Sequence, residues 1–322
     1  MSGVRCQGRK TKDLKFETLI IVICNFYQLL ASDYWLPDSL IFCFILGILG
    51  ILGSTFMKTL KLGFSPCPND TFIFGPLATG KLDVANCTLE IIHEDVETLN
   101  NLARDGILDF TKISVHAFGL VAEHYSLLHS GAALGRGCGP LVVAREPRNM
   151  DSLRREAIAI PGKLTTANLL LQLYGEGFSR LHPMSYEKIM PSLQQGEFAA
   201  GVIIHEGRFT YPNYGLHAVL DLGAWWEETH NLPVPLGAIL VRRNLGADVA
   251  EAVEDGIRRS LLFARKNPEQ VWPYIKMHAQ EMDDSVIRQH IDLYVNDYSL
   301  ELGEEGSLAI RRLLELAHQR GL

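Results

Sequence analysis

Little in this chain is arranged to hold a metal or a dinucleotide. Six cysteines are present, yet no two form a C-x-x-C pair, which removes the zinc ribbon and the thioredoxin-like redox couple. His93-Glu94 and His205-Glu206 each begin like a zinc-protease helix, but neither is followed by a second histidine at the required spacing. The glycine-rich "GRGCGP" (135–140) does not sit between a first strand and a helix, where a dinucleotide fingerprint belongs. No metal and no cofactor is therefore expected. Basic charge is also scarce: 30 Lys and Arg face 37 Asp and Glu, a net charge of -7, which argues against a general nucleic-acid binder. Three of the cysteines fall in the first 56 residues, so they do not read as a disulfide framework. A reducing cytoplasm is the expected location.

Long apolar runs are confined to that first segment. "TLIIVICNFYQLLA" (18–31) follows Arg5, Arg9, Lys10, Lys12 and Lys15, and "SLIFCFILGILGILGSTF" (39–56) runs eighteen residues without a charge. The second meets the length of a membrane-spanning helix. At Met57 the character changes to "MKTLKLGFSPCPNDTF", the opening of an α/β protein. Residues 1–56 are read either as a membrane anchor or as an extension upstream of a true start at Met57, and we favour the second. A membrane partner is expected only if those residues are made.

The remaining 266 residues alternate short strand-like runs with helical patterns, an α/β signature. Strands are expected at 60–64, 89–95, 107–114, 156–162 and 197–205. Helices are expected at 69–80, 96–106, 165–177 and 186–196, then at 247–266, 268–280, 284–295 and 304–320. Asn69 or Asp70, Asn267 and Asp283 are read as N-caps. Two internal echoes suggest paired lobes. "LARDGILDFTKISVH" parallels "LQQGEFAAGVIIH", and "GPLVVAR" (139–145) parallels "PLGAILVRR" (235–243). The expected organisation is two α/β lobes joined by a two-strand hinge: residues 57–145 with 240–322 in lobe 1, and 146–239 in lobe 2. Ligands of open α/β sheets bind beyond the carboxyl ends of the strands. That rule selects four polar clusters: Ser65 to Asp70, Thr111 to Ser114, Gly162 to Ala167, and His205 to Arg208.

Each cluster has a bland reading beside the functional one. Thr165 and Thr166 can cap a helix or help its free amides hold an anion. Cys67 has no base near it in sequence, so a packed thiol is the better reading. Trp225 and Trp226 can stack on an aromatic ligand but suit packing equally well. His205 ends an apolar run, "GVIIHEGRFTY", either as a strand cap or as a base at a pocket edge. Glu206 and Arg208 stay open between orienting that imidazole and stitching the lobe together.

Six co-linear motifs carry a resemblance: "SPCPNDTFIF", "TKIS", "GRGCGPLVVAR", "IPGKLTTA", "HEGRFTY" and "DLGAWWEETHNLPVPLGAILVRR". Together they resemble the 1,4-dihydroxy-6-naphthoate synthase family of the futalosine route to menaquinone, over essentially everything from Met57 onward. The resemblance implies a periplasmic-binding-protein-like (type II) fold adapted to catalysis. It implies cleavage of cyclic de-hypoxanthine futalosine to 1,4-dihydroxy-6-naphthoate, a carbon–carbon lyase step without metal or redox cofactor. His205 is then the general base, and Thr111, Lys112, Ile113, Ser114, Thr165, Thr166 and Ala167 line the substrate pocket. Lys112 is either a partner for the substrate carboxylate or turned to the opposite strand face. A solute-binding protein and the sister enzyme chorismate dehydratase are the competing readings.

Overall fold

The computed structural model describes residues 58–280 and 283–322. The two apolar stretches before Met57 lie outside the described residues, as does the choice between anchor and upstream extension. Among the described residues no helix is long and apolar enough to cross a membrane.

Two sheets form the frame. The first has the order β2-β1-β3-β11-β4, with β5 also paired to β11. Its strands are β1 (Lys58–Phe64), β2 (Cys87–His93), β3 (Phe110–Ser114), β4 (Tyr125–Leu127), β5 (Ala133–Gly135) and β11 (Val234–Arg242). β1 runs parallel to β2 and β3, whereas β11 is antiparallel to β3, β4 and β5. The second sheet, β10-β6-β9-β7-β8, is built from β6 (Leu141–Ala144), β7 (Ile158–Ile160), β8 (Leu181–Pro183), β9 (Ala200–Ile203) and β10 (His217–Asp221). Both faces of β6, β7 and β9 are covered, so each reads as an apolar run rather than an alternation, whereas β1 (KTLKLGF) and β3 (FTKIS) keep polar positions among their buried ones.

Helices cover both sheets. On the first lie α1 (Pro68–Ala78), α2 (Val96–Arg104) and α3 (Val115–Val121). The second carries α4 (Thr166–Tyr174), α5 (Tyr186–Gln195), α6 (Gly207–Thr210) and α7 (Leu222–His230). The C-terminal part returns as α8 (Ala247–Lys266), α9 (Pro268–His278), α10 (Asp284–Tyr294), α11 (Asp297–Leu300) and α12 (Gly303–Arg320). α8, α9 and α10 pack on α1, while α12 packs on α3, α4 and β11 and so touches both lobes.

The lobe boundaries differ from the expected 145 and 239. β6 (Leu141–Ala144) already belongs to the second sheet, and β11 joins the first from Val234. The paired crossing strands are β5 and the start of β11, where Gly135 faces Val234; "GPLVVAR" is instead an inner strand of lobe 2. The glycine that opens that motif serves the crossing. A Cβ on Gly139 would lie 2.2 Å from the Cα of Gly223, so hinge and α7 meet backbone to backbone.

The start of α1 also differs. Cys67 is its N-cap without a side-chain bond, and Pro68 opens the helix with no N–H to satisfy. Asn69 and Asp70 are thereby free to face the cleft. Asp283 does cap α10, accepting from Ser285 N and Val286 N.

Candidate active site

All four strand-end clusters meet at one cavity between the sheets. It is lined by Ser65, Asn69 and Asp70 after β1, and by Lys112, Ile113 and Ser114 at the end of β3. From lobe 2 come Thr165, Thr166 and Ala167 at the start of α4, and Ile204 and His205 after β9. Val96, Leu99, Ala133 and Leu236 add apolar walls, a surface suited to a flat ring system bearing a few polar groups.

Lys112 and Ser114 share one strand face, and Thr111 takes the other. The Lys112 ammonium reaches the cavity and pairs with Asp70 Oδ1 at 2.6 Å, both side chains being 6% exposed. That resolves its orientation toward the cleft. Thr111 is a correction: it is fully buried, and its hydroxyl donates to the Gly63 carbonyl at 2.9 Å. It secures β3 to β1 and does not line the cavity. Ser114 is held from both sides by Asn100, whose Oδ1 accepts from Ser114 N at 2.9 Å while its Nδ2 donates to Ser114 Oγ at 3.2 Å.

Asp70 is the hub on the lobe 1 side. Its Oδ2 accepts from Ser65 N and Ser65 Oγ, at 3.2 and 2.7 Å, and its Oδ1 accepts from Asn69 Nδ2 at 2.8 Å as well as from Lys112. A buried carboxylate so surrounded has the hydrogen-bond donors and the cationic partner that offset its loss of water. The amide of Asn69 passes the chain on: its Oδ1 lies 3.0 Å from Nε2 of His290 in α10.

His205 follows β9 in a left-handed conformation, φ 56°, which a residue with a side chain adopts at a cost of about 1–3 kcal/mol. That turn swings the imidazole into the cleft, where its Nε2 is buried and without a hydrogen-bond partner. Tyr186 of α5 packs edge-on to the ring at 5.0 Å between centroids. The ring does not titrate at the ordinary imidazole value. Burial takes the imidazole down to about 4, Asp70 pulls it up, and Lys112 pushes it down again. The ring is thus unprotonated throughout the neutral range, the form a base requires.

The helix start of α4 serves both readings set out above. Thr165 is the N-cap, accepting from Asn168 N at 3.2 Å and donating to the Gly162 carbonyl at 2.9 Å. Thr166 Oγ1 donates across the lobes to the Leu236 carbonyl at 2.8 Å. Both hydroxyls are spent on the fold, which leaves the first-turn amides as the donors for an anion. Just ahead of them, Lys163 N and Leu164 N donate to the Glu97 carboxylate of α2, at 2.7 and 3.0–3.1 Å. The close approach requires Gly162, at φ 146°, because a Cβ there would lie 2.4 Å from Glu97 Cδ.

Arg208 stitches lobe 2. Its guanidinium donates to the Gly139 carbonyl at 2.8 Å and pairs with Asp221 at 2.5 Å, while Asp221 caps α7. Glu206 Oε2 lies 3.7 Å from His290 Nδ1. Burial, then the charge of Glu206, push the Cys67 thiol well above its ordinary value, in line with a packed thiol. Trp226 is fully buried, donating to the Pro233 carbonyl, and does not line the cavity. Sequence reasoning missed Tyr294, which lines the cavity, and His290 and Glu97 behind it. The signal for His290 was a histidine on the apolar stripe Ile287, Ile291, Tyr294 of an expected helix. Glu97 carried none, since it looks like any acidic first-turn residue.

Comparison with known proteins bears on this geometry. A 1,4-dihydroxy-6-naphthoate synthase of Thermus thermophilus is 52% identical over 266 residues, covering 83% of this chain and 96% of the relative. Its namesake in Streptomyces coelicolor is 45% identical over 269 residues, covering 82% and 94%. A crystal structure of an Archaeoglobus fulgidus protein superposes with a TM-score of 0.77 at 37% identity, covering 82% of this chain and 98% of that one. The ligand-binding component of an ABC-type importer from Staphylococcus aureus matches with a TM-score of 0.61 at 14% identity, over 82% and 92%; that likeness concerns the fold, which is of the periplasmic-binding-protein kind. Residues 60–319 match the family described as menaquinone biosynthesis, and with the two synthases at this identity the chain belongs to that menaquinone-biosynthesis family.

Proposed function

We propose that this protein cleaves cyclic de-hypoxanthine futalosine to 1,4-dihydroxy-6-naphthoate, as a cofactor-independent carbon–carbon lyase of the futalosine route, with His205 as general base. The observation that carries the reading is His205 itself: an unprotonated imidazole, held by a left-handed backbone at the wall of a largely apolar cavity, its buried Nε2 without a hydrogen-bond partner. Cleavage beside a carbonyl begins by removing an activated proton. The C–H electron pair stays on carbon and delocalises into the carbonyl, and the proton passes to the His205 lone pair. Such a positioned base supplies roughly 10²–10⁴-fold in rate.

The other lining residues have matching tasks. Val96, Leu99, Ile113 and Leu236 bury the rings. The first-turn amides of α4 at Thr165, Thr166 and Ala167 bind the aromatic carboxylate, and Ser114 adds a hydroxyl. The Lys112–Asp70 pair balances the proton gained by His205. Asp70 favours the imidazolium, and Lys112 favours return to the neutral ring. Closure of the lobes excludes water from the carbanion-like species.

The test is turnover by the purified protein, with dihydroxynaphthoate followed by chromatography and mass spectrometry. His205→Ala is expected to lower kcat by about 10² or more while the far-UV spectrum and melting temperature stay close to wild type. Binding of the substrate without turnover by the wild-type protein would identify a solute-binding protein instead, and near wild-type rates in His205→Ala would remove the base assignment.

A further inference from the structure

His290 is fully buried on the apolar face of α10, and the chemistry above gives it no task. An imidazole in place of an aliphatic side chain carries a desolvation cost that its polar contacts must offset. Its proton can be located. Asp70 Oδ1 only accepts, so the side of Asn69 facing it at 2.8 Å is the NH2 group. The Asn69 carbonyl therefore faces His290 Nε2 at 3.0 Å, and Nε2 must be the donor. The other nitrogen, Nδ1, carries the lone pair, has no hydrogen-bond partner, and stands 3.7 Å from Glu206 Oε2. That gap is just beyond a hydrogen bond. It spans the cleft, because His290 belongs to lobe 1 and Glu206 directly follows the base in lobe 2. The His205 and His290 rings lie nearly parallel, 13° apart with centroids at 6.0 Å.

We propose that His290 is a positioning residue for the base, joining the Lys112–Asp70–Asn69 chain of lobe 1 to Glu206 and thereby fixing where the His205 ring stands in the closed cleft. The proposal rests on the reading of His205 as the base. Two acceptors can bond only with a proton between them, so the contact tightens when the site takes one up and segment 205–206 advances. The titratable groups facing this pair are Lys112 and Asp70 beside His205, Asp95 acting on it through its charge, Tyr186 on its edge, Glu206 and the Cys67 thiol that feels its charge, and Tyr294, whose ring lies 4.7 Å from that of His290.

The test uses the whole protein carrying His290→Gln, Glu206→Gln and both together. Glutamine at 290 places its amide NH2 near the Nε2 position, keeping the bond to Asn69 while losing Nδ1. Steady-state kinetics and NMR titration of the histidine rings are then compared. The expected outcome for His290→Gln is a kcat lower by roughly ten- to a hundredfold, a KM within about threefold, and a His205 titration moved by about half a pH unit or more. Glu206→Gln is expected to give a similar loss, and the double variant little more than either alone. A wild-type kcat and an unmoved His205 titration in His290→Gln would overturn the proposal, and so would a lowered melting temperature with that titration unmoved. Were the wild type to leave the futalosine substrate untouched, the functional reading would fall, while the ring titrations would still decide the role of His290.

Discussion

The imidazole of His205 is taken out of water on one side and placed between a carboxylate and an ammonium on the other. Its titration is the balance of those three influences. Burial dominates, so the ring loses its proton at about 4 rather than near 6.5. A base held this low is always ready at neutral pH, at the expense of proton affinity, and its conjugate acid gives the proton up readily. The acid limb of kcat/KM reports the free enzyme and is therefore expected near pH 4 to 5, with a flat profile from pH 6 through neutrality. Substitution of Lys112 by Met removes the neighbouring positive charge and leaves Asp70 unopposed, which raises the imidazole and moves that limb upward. Rates measured from pH 4 to 8 on both proteins check this, and a limb at pH 6.5 in the wild type would show that burial does not govern the base. His205 itself was legible as the polar end of an apolar run. Its φ of 56° and its depressed titration were not, because both come from neighbours distant in sequence.

At the scale of elements, the strand ends were the part the sequence carried best. Apolar runs such as "LKLGF" and "AAGVIIH" coincide with β1 and β9, and their polar sequels surround the cavity. What stayed hidden were contacts between elements. Cys67 rather than Asn69 begins α1, because Pro68 follows and Asp70 is drawn to Lys112. The crossing strand was read at 139–145, whereas β5 at Ala133–Gly135 fills that role, since three residues pairing with β11 leave almost no local pattern. Glu97 exemplifies the same limit. From the first turn of α2 it accepts the amides of Lys163 and Leu164 in the other lobe, a clasp immediately ahead of the anion-binding helix start. Glu97→Ala leaves those amides without their carboxylate, and the α4 approach loses its tether to lobe 1. We expect KM to rise by several-fold with kcat falling less, and the melting temperature to drop by about 2–4 °C. Kinetics and a thermal melt measure both. An unchanged KM would mean the clasp is incidental to binding.

Across the whole molecule, each lobe has a core of its own, around Phe74 and Leu261 in lobe 1 and around Ile189 and Ile203 in lobe 2, and a third is shared. One core cluster runs from Ile158, Val202 and Trp226 in lobe 2, through Leu134 and Val234 at the hinge, to Ala309 and Leu313 of α12. Burial of roughly 25 cal/mol per Å² of apolar surface binds such a shared core to both sheets at once. Unfolding one lobe alone would expose half of that cluster, so the lobes are expected to unfold together. Acid should weaken the assembly as a unit, and the sign follows from the histidines. His205, His290, His116 and His93 are all held below their ordinary value, in each case chiefly by burial. The unfolded chain binds their protons first as pH falls below about 6.5, so the stability present above that value is lost progressively on the way to the lower folded titrations. Urea unfolding at pH 7.5 and pH 5.0, followed by tryptophan fluorescence and far-UV circular dichroism, tests both statements. Coincident curves are expected at each pH, because Trp226 reports from the shared core in lobe 2 and Trp272 packs against the core of lobe 1. The midpoint should be lower at pH 5.0, and replacing His205 with Gln should narrow the difference. Two separate transitions would instead mean that α12 rides on one lobe and does not tie the two sheets into one cooperative unit.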